Sequence, residues 1–250
     1  MRPSAAAAEA EARRIQRWAR VAGVLYLIII LIGLFSEAQI RGALVVPGDP
    51  AATATRILAA QTTWRLGVAA EDLLLLCAVG LGYAWYLLLR PVDRRLIWLA
   101  MFLGLVSLSV ESVGALQLHA VLTPLVDDAF VRIAGPQMAQ LMAYQAVTAH
   151  THAFGLALIF FGAECLVIGH LVRRSGYFPA WVGVLMQLAG ACYLINSFSM
   201  IIAPALQNVL FPMILLPCLV GEGCFCLWLL IKGVNTAAWN KHAQIAGAVA

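Results

Sequence analysis

Long apolar stretches separated by short polar turns run along most of this 250-residue chain. A membrane-spanning α-helix needs about 20 consecutive, predominantly apolar residues. The pattern therefore predicts an all-α, polytopic membrane protein built as a bundle of six transmembrane helices. The predicted spans are residues 21–35, 66–89, 96–118, 149–172, 179–203 and 208–231.

The first apolar stretch is short, and Ser36 and Glu37 follow it, so a cleaved signal peptide is an alternative to a retained helix. We favour a retained helix that ends at Phe35, because it completes a set of six spans. Residues 37–63 are then expected to form a loop outside the membrane. Within this loop, Asp49 is predicted to cap a short surface helix over residues 50–61.

Two later segments carry further expectations. No proline follows Gln137 before the basic end of the fourth span, so that helix is expected to begin well before residue 149. Pro212 and Pro217 are expected to interrupt the sixth span. The last residues, 233–250, are small and polar and are expected to be loosely structured.

Composition supports the membrane interpretation. The chain is 63% hydrophobic and only 11% charged, whereas a soluble domain carries about 25% charged residues. Six cysteines lie in apolar segments without a CxxC pair, which favours small core side chains over a redox or metal motif. The net charge of +4 does not indicate a nucleic-acid partner, because the basic residues follow the turns between spans.

The distribution of these basic residues predicts the topology. With the N-terminus inside, twelve arginines and lysines fall in inside segments and four in outside segments. Cytoplasmic segments are enriched in such residues, so both termini are predicted to be cytoplasmic. The expected organisation is a basic cytoplasmic segment over 1–20, the six-helix domain over 21–232 and a cytoplasmic tail over 233–250. The inside residues are Arg2, Arg13, Arg14, Arg17, Arg20, Arg90, Arg94, Arg95, Arg173, Arg174, Lys232 and Lys241.

Two adjacent carboxylates, Glu71 and Asp72, interrupt the second span. A carboxylate at membrane depth costs about 2.5 kcal/mol or more on insertion scales, so its presence indicates a specific role. Successive helical side chains are about 100° apart, so the two carboxylates must face different directions. Glu71 shares the face with smaller residues, which predicts that it points into the bundle as part of a polar pocket.

Other polar side chains are expected at a similar depth in the outer half of the bundle. They lie on the third, fourth and fifth spans, and their convergence predicts a ligand site that opens away from the cytoplasm. Glu164 and Glu222 are expected deeper, as a separate feature. The predicted ligand-binding residues are Glu71, Asp72, Glu111, His119, His152 and Asn196.

Three functions remain open for this site. The leading hypothesis is a polar cavity that binds or transports a small or lipid-like ligand, and a cavity of about 300 Å³ would support it. The second is a metal-dependent hydrolase that acts on a lipid, although no HExxH pair exists and no metal or cofactor can be assigned. The third is a non-catalytic accessory subunit whose acids join helices by hydrogen bonds. A homodimer is also open, because six short spans make a small transporter.

Seven short segments carry a resemblance to a known family. They are VAGVLYLI (21–28), LVVPGDPAATATRI (44–57), RLGVAAEDLL (65–74), LLLRPVDRRLIWLA (87–100), FFGAECLVIGHLVRRSGYFPAWVGVL (160–185), YLINSF (193–198) and GEGCFCLWLLIKGV (221–234). In this order they resemble a bacterial membrane-protein family catalogued as domain of unknown function 4386. The resemblance implies a multi-pass protein of the bacterial plasma membrane and no particular activity. Arg56 and His170 depart from the family pattern, which leads us to expect an amide and an aromatic residue there.

Overall fold

The computed structural model describes the backbone of residues 5–249 and, within it, the side chains of 9–207 and 209–245. The described chain is helical and contains no strand, which confirms the all-α prediction. Its helices are α1 (Ala5–Phe35), a π-helix (Ser36–Arg41), α2 (Gly42–Leu44), α3 (Pro50–Ala59), α4 (Gln61–Leu89), α5 (Arg94–Ala120), α6 (Thr123–Val126), α7 (Asp128–Ala134), α8 (Pro136–Ser175), α9 (Ala180–Ile202), α10 (Pro204–Leu210), a 3₁₀-helix (Met213–Leu215), α11 (Leu216–Ile231) and α12 (Thr236–Val249).

Six of the described helical segments are long and apolar enough to cross a membrane, as the sequence pattern predicts. The fourth begins at Pro136, so the early start expected for it is confirmed. The short helix α3 is also confirmed, because Asp49 accepts a hydrogen bond from the N–H of Ala52 and Pro50 occupies its first turn. The six segments are Glu9–Leu44, Gln61–Leu89, Arg94–Val126, Pro136–Ser175, Ala180–Ile202 and Met213–Ile231.

The expected end of the first helix at Phe35 is wrong. The backbone stays helical through the π-helix and α2, and it becomes extended only at Val45. The N–H of Gly42 bonds to the carbonyl of Glu37, the five-residue step of a π-helix. The polar residues after Phe35 are typical of a loop. No proline occurs between Phe35 and Pro47, however, so nothing in that range ends the helix.

The described chain forms two compact units. The first comprises the residues up to Ile28 together with Cys77–Ser107 and the part from Leu158 onward. The second comprises Ile29–Leu76 and Leu108–Ala157. The core of the second unit surrounds Trp64, whose indole N–H donates to the carbonyl of Leu118 at 3.3 Å. This core fixes the start of α4 against the end of α5.

The first unit combines an aromatic core with close helix packing. Trp85 stacks on Phe225 with ring centroids 4.7 Å apart. On the facing helices α8 and α9, Gly162 and Gly190 lie so close that a Cβ atom at Gly190 would stand 2.5 Å from the Gly162 carbonyl oxygen. Small residues allow such contact between membrane helices, and here they bring the backbones of α8 and α9 together.

The tail expected to be loose contains helix α12. Asn235 precedes it and accepts a hydrogen bond from the N–H of Ala238. Trp239 is buried, and its indole N–H donates to the carbonyl of Leu88 at 3.0 Å. One large aromatic side chain therefore anchors a segment whose other side chains are mostly small or polar.

Candidate functional site

Arg41 is the centre of a polar cluster in the second unit. Its Nε donates to the Glu37 carboxylate at 2.9 Å, one helical turn earlier. Its Nη1 lies 3.5 Å from the carboxylate of Glu71 and 3.5 Å from Nε2 of His150. Glu111 lies within electrostatic range of Arg41 and Glu71. These five residues are called the Arg41 cluster below.

The continued first helix positions Arg41. Because the helix extends through the π-turn to Leu44, Arg41 remains part of a rigid segment instead of a loop. Ser36 and Ile40, on the same segment, are buried. The Arg41 side chain is 16% exposed and that of Glu71 is 3% exposed, so this ion pair is largely shielded from solvent. π-turns occur often at functional sites, where they redirect side chains.

The two adjacent carboxylates of α4 point in different directions, as the helical spacing predicts. Glu71 is buried and pairs with Arg41, whereas the Asp72 side chain is 51% exposed. Asp72 lies 3.1 Å from Nε2 of His119, which is 48% exposed. The structure thus brings two predicted site residues together in a second, more open pair.

His150 is buried and lies within α8, fourteen residues after Pro136. Its Nδ1 lies beside the backbone of Gly114 of α5. A Cβ atom at Gly114 would stand 3.4 Å from Nδ1 and 2.9 Å from Ala153. The glycine therefore gives the imidazole ring room to reach Arg41.

A small cavity borders the Arg41 cluster. Its volume is about 10 Å³, room for about one water molecule. The hydroxyl of Ser36 is one of its polar groups and has no hydrogen-bond partner among the described side chains. A buried hydroxyl without a partner favours a bound water or ion at this place. The lining residues are Ser36, Ile40, Arg41, Trp64, Gly67, Val68, Glu71 and Leu118.

Two predicted site residues do not join the Arg41 cluster through any described contact. His152 is exposed on α8, two residues beyond His150. Asn196 belongs to the first unit, where it is buried on α9 and its Oδ1 has no partner among the described residues. Their roles as ligand-binding residues stay predictions.

The deeper acids form a separate feature of the first unit. Glu222 accepts a short hydrogen bond from the hydroxyl of Tyr193, and the Glu164 carboxylate lies against Gly104 of α5. Neither Glu164 nor Glu222 takes part in an ion pair among the described residues. At 1.5 Å per residue, Glu164 and Glu222 lie about 16 and 14 Å along the helix axis from the ends of α8 and α11.

Sequence reasoning missed Arg41 and left His150 outside the predicted site. The signal for Arg41 was present, because Glu37 and Arg41 are four residues apart, a helical ion-pair spacing. No comparable signal marked His150, whose burial depends on packing against α5. Among the described residues, no three histidine, cysteine or acidic side chains are grouped so that they could hold a metal ion.

Comparison with known proteins agrees with the fold. The chain is 26% identical over 161 residues to an uncharacterised protein of the archaeon Archaeoglobus fulgidus, covering 64% of this chain and 80% of the relative. No solved structure shows a significant match. The family model described as domain of unknown function (DUF4386) matches residues 21–233, most of the chain. This multi-pass helical membrane protein therefore belongs to the DUF4386 family.

Proposed function

We propose that this protein binds a proton at the Arg41 cluster, as the binding step of transport across the membrane. The observation that carries the proposal is the balance of charge. When ionised, the buried Glu71 and the partly buried Glu111 carry two negative charges and the exposed Glu37 carries a third, whereas Arg41 supplies one positive charge. Uncompensated charge within a span is costly, so a further positive charge is needed at this site.

The size of the cavity defines the class of ligand. Pockets for drug-sized molecules measure about 300 to 1,000 Å³, whereas the space beside Glu71 is about 10 Å³. This volume argues against a lipid-like ligand and favours a proton held by the carboxylates. Ser36 contributes a buried hydroxyl that has no hydrogen-bond partner among the described residues.

The open pair of Asp72 and His119 supports a path for protons to the cluster. Asp72 follows Glu71 directly on α4, and its side chain is half exposed. Carboxylate and imidazole groups in series form proton relays in membrane pumps and transporters. We place the entrance on the non-cytoplasmic side, in line with the topology predicted from the basic residues. No observation of this kind supports a metal-dependent hydrolase, since no three histidine, cysteine or acidic side chains among the described residues are grouped to hold a metal ion.

The test uses the full chain reconstituted in liposomes. Infrared difference spectra of the carboxyl groups after a pH jump should show a change in the wild type that is lost in Glu71→Gln and Glu111→Gln. Asp128→Asn, which alters an exposed carboxylate on α7, serves as the matched control and should leave that change intact.

Transport is measured in the same liposomes with a trapped pH-sensitive dye and an imposed membrane potential. Proton uptake by the wild type should exceed that of empty liposomes and should be lost in Glu71→Gln. Identical infrared changes in wild type and both glutamine variants would overturn proton binding at the cluster. Normal binding without flux would limit the protein to a binding or accessory role.

A further inference from the structure

A groove lined by basic side chains runs along the beginning of α1. It has a volume of about 240 Å³ and is lined by Arg13, Gln16, Arg17 and Arg20. Counted from Arg13, these residues stand at positions i, i+3, i+4 and i+7, so they occupy one face of the helix. The groove belongs wholly to the first unit, and the Arg41 cluster belongs to the second.

Hydrogen bonds fix the wall of this groove nearest the membrane span. Arg20 donates to the carbonyl of Leu229 at 3.0 Å and, through a short bond, to that of Leu230. The Gln16 side chain donates to the carbonyl of Lys232 at 3.0 Å and accepts from the N–H of Val234 at 3.0 Å. These bonds hold α1 against the end of α11, so Arg20 and Gln16 form a rigid base.

The other two arginines remain available to an external anion. Arg17 is exposed and has no ion pair among the described residues. Arg13 lies 3.5 Å from Glu9, and the two side chains are 65% and 74% exposed. An ion pair this exposed contributes little, so an incoming phosphate could replace it at small cost.

The same helix face continues into the span as an apolar strip. Val21 follows Arg17 by one turn, and Val24 and Leu27 continue the strip. These side chains are 42%, 49% and 36% exposed, so they face outward and not into the core. A cationic site directly followed by an exposed apolar strip matches a phospholipid, whose anionic headgroup adjoins its acyl chains. A soluble anion would use only the basic part.

We propose that the basic groove binds the phosphodiester headgroup of an anionic phospholipid, with its acyl chains along Val21, Val24 and Leu27. The groove is smaller than a pocket for a whole drug-sized ligand, so it receives the headgroup alone and leaves the chains in the bilayer. Clusters of lysine and arginine beside membrane helices attract anionic lipids in this way.

The test compares lipid binding by the purified full chain in detergent, measured by native mass spectrometry. Dioleoyl phosphatidylglycerol and dioleoyl phosphatidylcholine are added in turn, since they share acyl chains and differ in headgroup charge. The wild type should prefer phosphatidylglycerol, and Arg13→Gln with Arg17→Gln should reduce this preference about thirtyfold, the product expected for two interfacial arginines.

Two further variants make the outcome specific. Arg13→Lys with Arg17→Lys keeps the charge and should keep most of the preference. Arg56→Gln with Arg132→Gln removes two exposed arginines of the second unit and should leave the preference unchanged.

Three results would overturn the site. They are equal binding of the two lipids by the wild type, an unchanged preference in the double glutamine variant at Arg13 and Arg17, and an equal loss in the Arg56 and Arg132 control. A large excess of inorganic phosphate should leave bound phosphatidylglycerol in place. Displacement by phosphate would contradict a membrane lipid as the occupant.

Discussion

Replacing Arg41 with glutamine removes the positive charge at the centre of the polar cluster. Glu71, with a side chain 3% exposed, would then lie in the bundle without its cation. Breaking a buried ion pair from one side costs about 3 to 5 kcal/mol. We expect Arg41→Gln to lower the free energy of unfolding by about 3 kcal/mol, the lower end of this range, because the arginine side chain is 16% exposed and solvent screens part of its interaction.

Replacing Glu71, the acidic partner of the pair, should lower the free energy of unfolding by less than replacing Arg41. Glu71→Gln leaves Arg41 with its 2.9 Å bond to Glu37, so its expected cost is about 1 to 2 kcal/mol. The double variant should lose less than the two single losses combined, with a coupling free energy of about 1.5 to 2 kcal/mol. Such coupling would attribute the effect to the pair and not to general damage.

The free energy of unfolding can be measured for all four proteins in mixed micelles with an increasing fraction of denaturing detergent. Arg56→Gln provides the matched control, since the side chain of this exposed arginine of the same unit donates to the carbonyl of Ala43 at 3.1 Å and has no ion pair among the described residues. Its loss should not exceed about 1 kcal/mol. Two results would refute an ion pair between Arg41 and Glu71. One is a loss of unfolding free energy in Arg41→Gln no larger than that in Arg56→Gln, and the other is an additive effect of Arg41→Gln and Glu71→Gln in the double variant.

Three other predictions follow from single contacts. Gly190→Ala should destabilise the protein by about 1 to 3 kcal/mol, because its new methyl group meets the backbone of α8, whereas Gly82→Ala, with open space beside it, should be neutral or stabilising in the same unfolding assay. Burial raises the pKa of the Tyr177 hydroxyl above its ordinary value of about 10. The unfolded wild type therefore loses this proton first, and its free energy of unfolding should fall as the pH rises above 10. The difference in free energy of unfolding between the wild type and Tyr177→Phe should narrow over the same pH range. His119→Ala should cost less than about 1 kcal/mol, because that side chain and Asp72 are half exposed, and a loss as large as that of Arg41→Gln would contradict this exposure.

The sequence predicted those features that depend on neighbours along the chain. The length of each apolar stretch gave the six spans, and the 100° step along a helix separated Glu71 from Asp72. The helix cap at Asp49 likewise depends on one local hydrogen bond, which the Asp49 side chain accepts from the N–H of Ala52. In each case the determining physics lies within about four residues or within one helix.

The parts of the site that were missed depend on distant contacts. Arg41 appeared to belong to a polar loop because the composition of its segment resembles one. Its four-residue spacing from Glu37 indicates a helix, but its place in the cluster depends on its contact with Glu71, thirty positions away. His150 is buried because Gly114 of α5 leaves space for its ring. Neither contact produces a periodic pattern, so hydrophobic spacing could not have identified them.

The two units satisfy buried acids by different chemistry. In the second unit a cation is supplied by a helix that continues past its apolar stretch, and the π-turn there keeps Arg41 on a rigid backbone. In the first unit Tyr193 hydrogen-bonds Glu222, and neither Glu222 nor Glu164 has an ion pair among the described residues. An ion pair next to a cavity can respond to an added positive charge by exchanging partners, whereas a tyrosine hydroxyl provides only a hydrogen bond. That difference is why we assign ligand binding to the Arg41 cluster and not to the deeper acids.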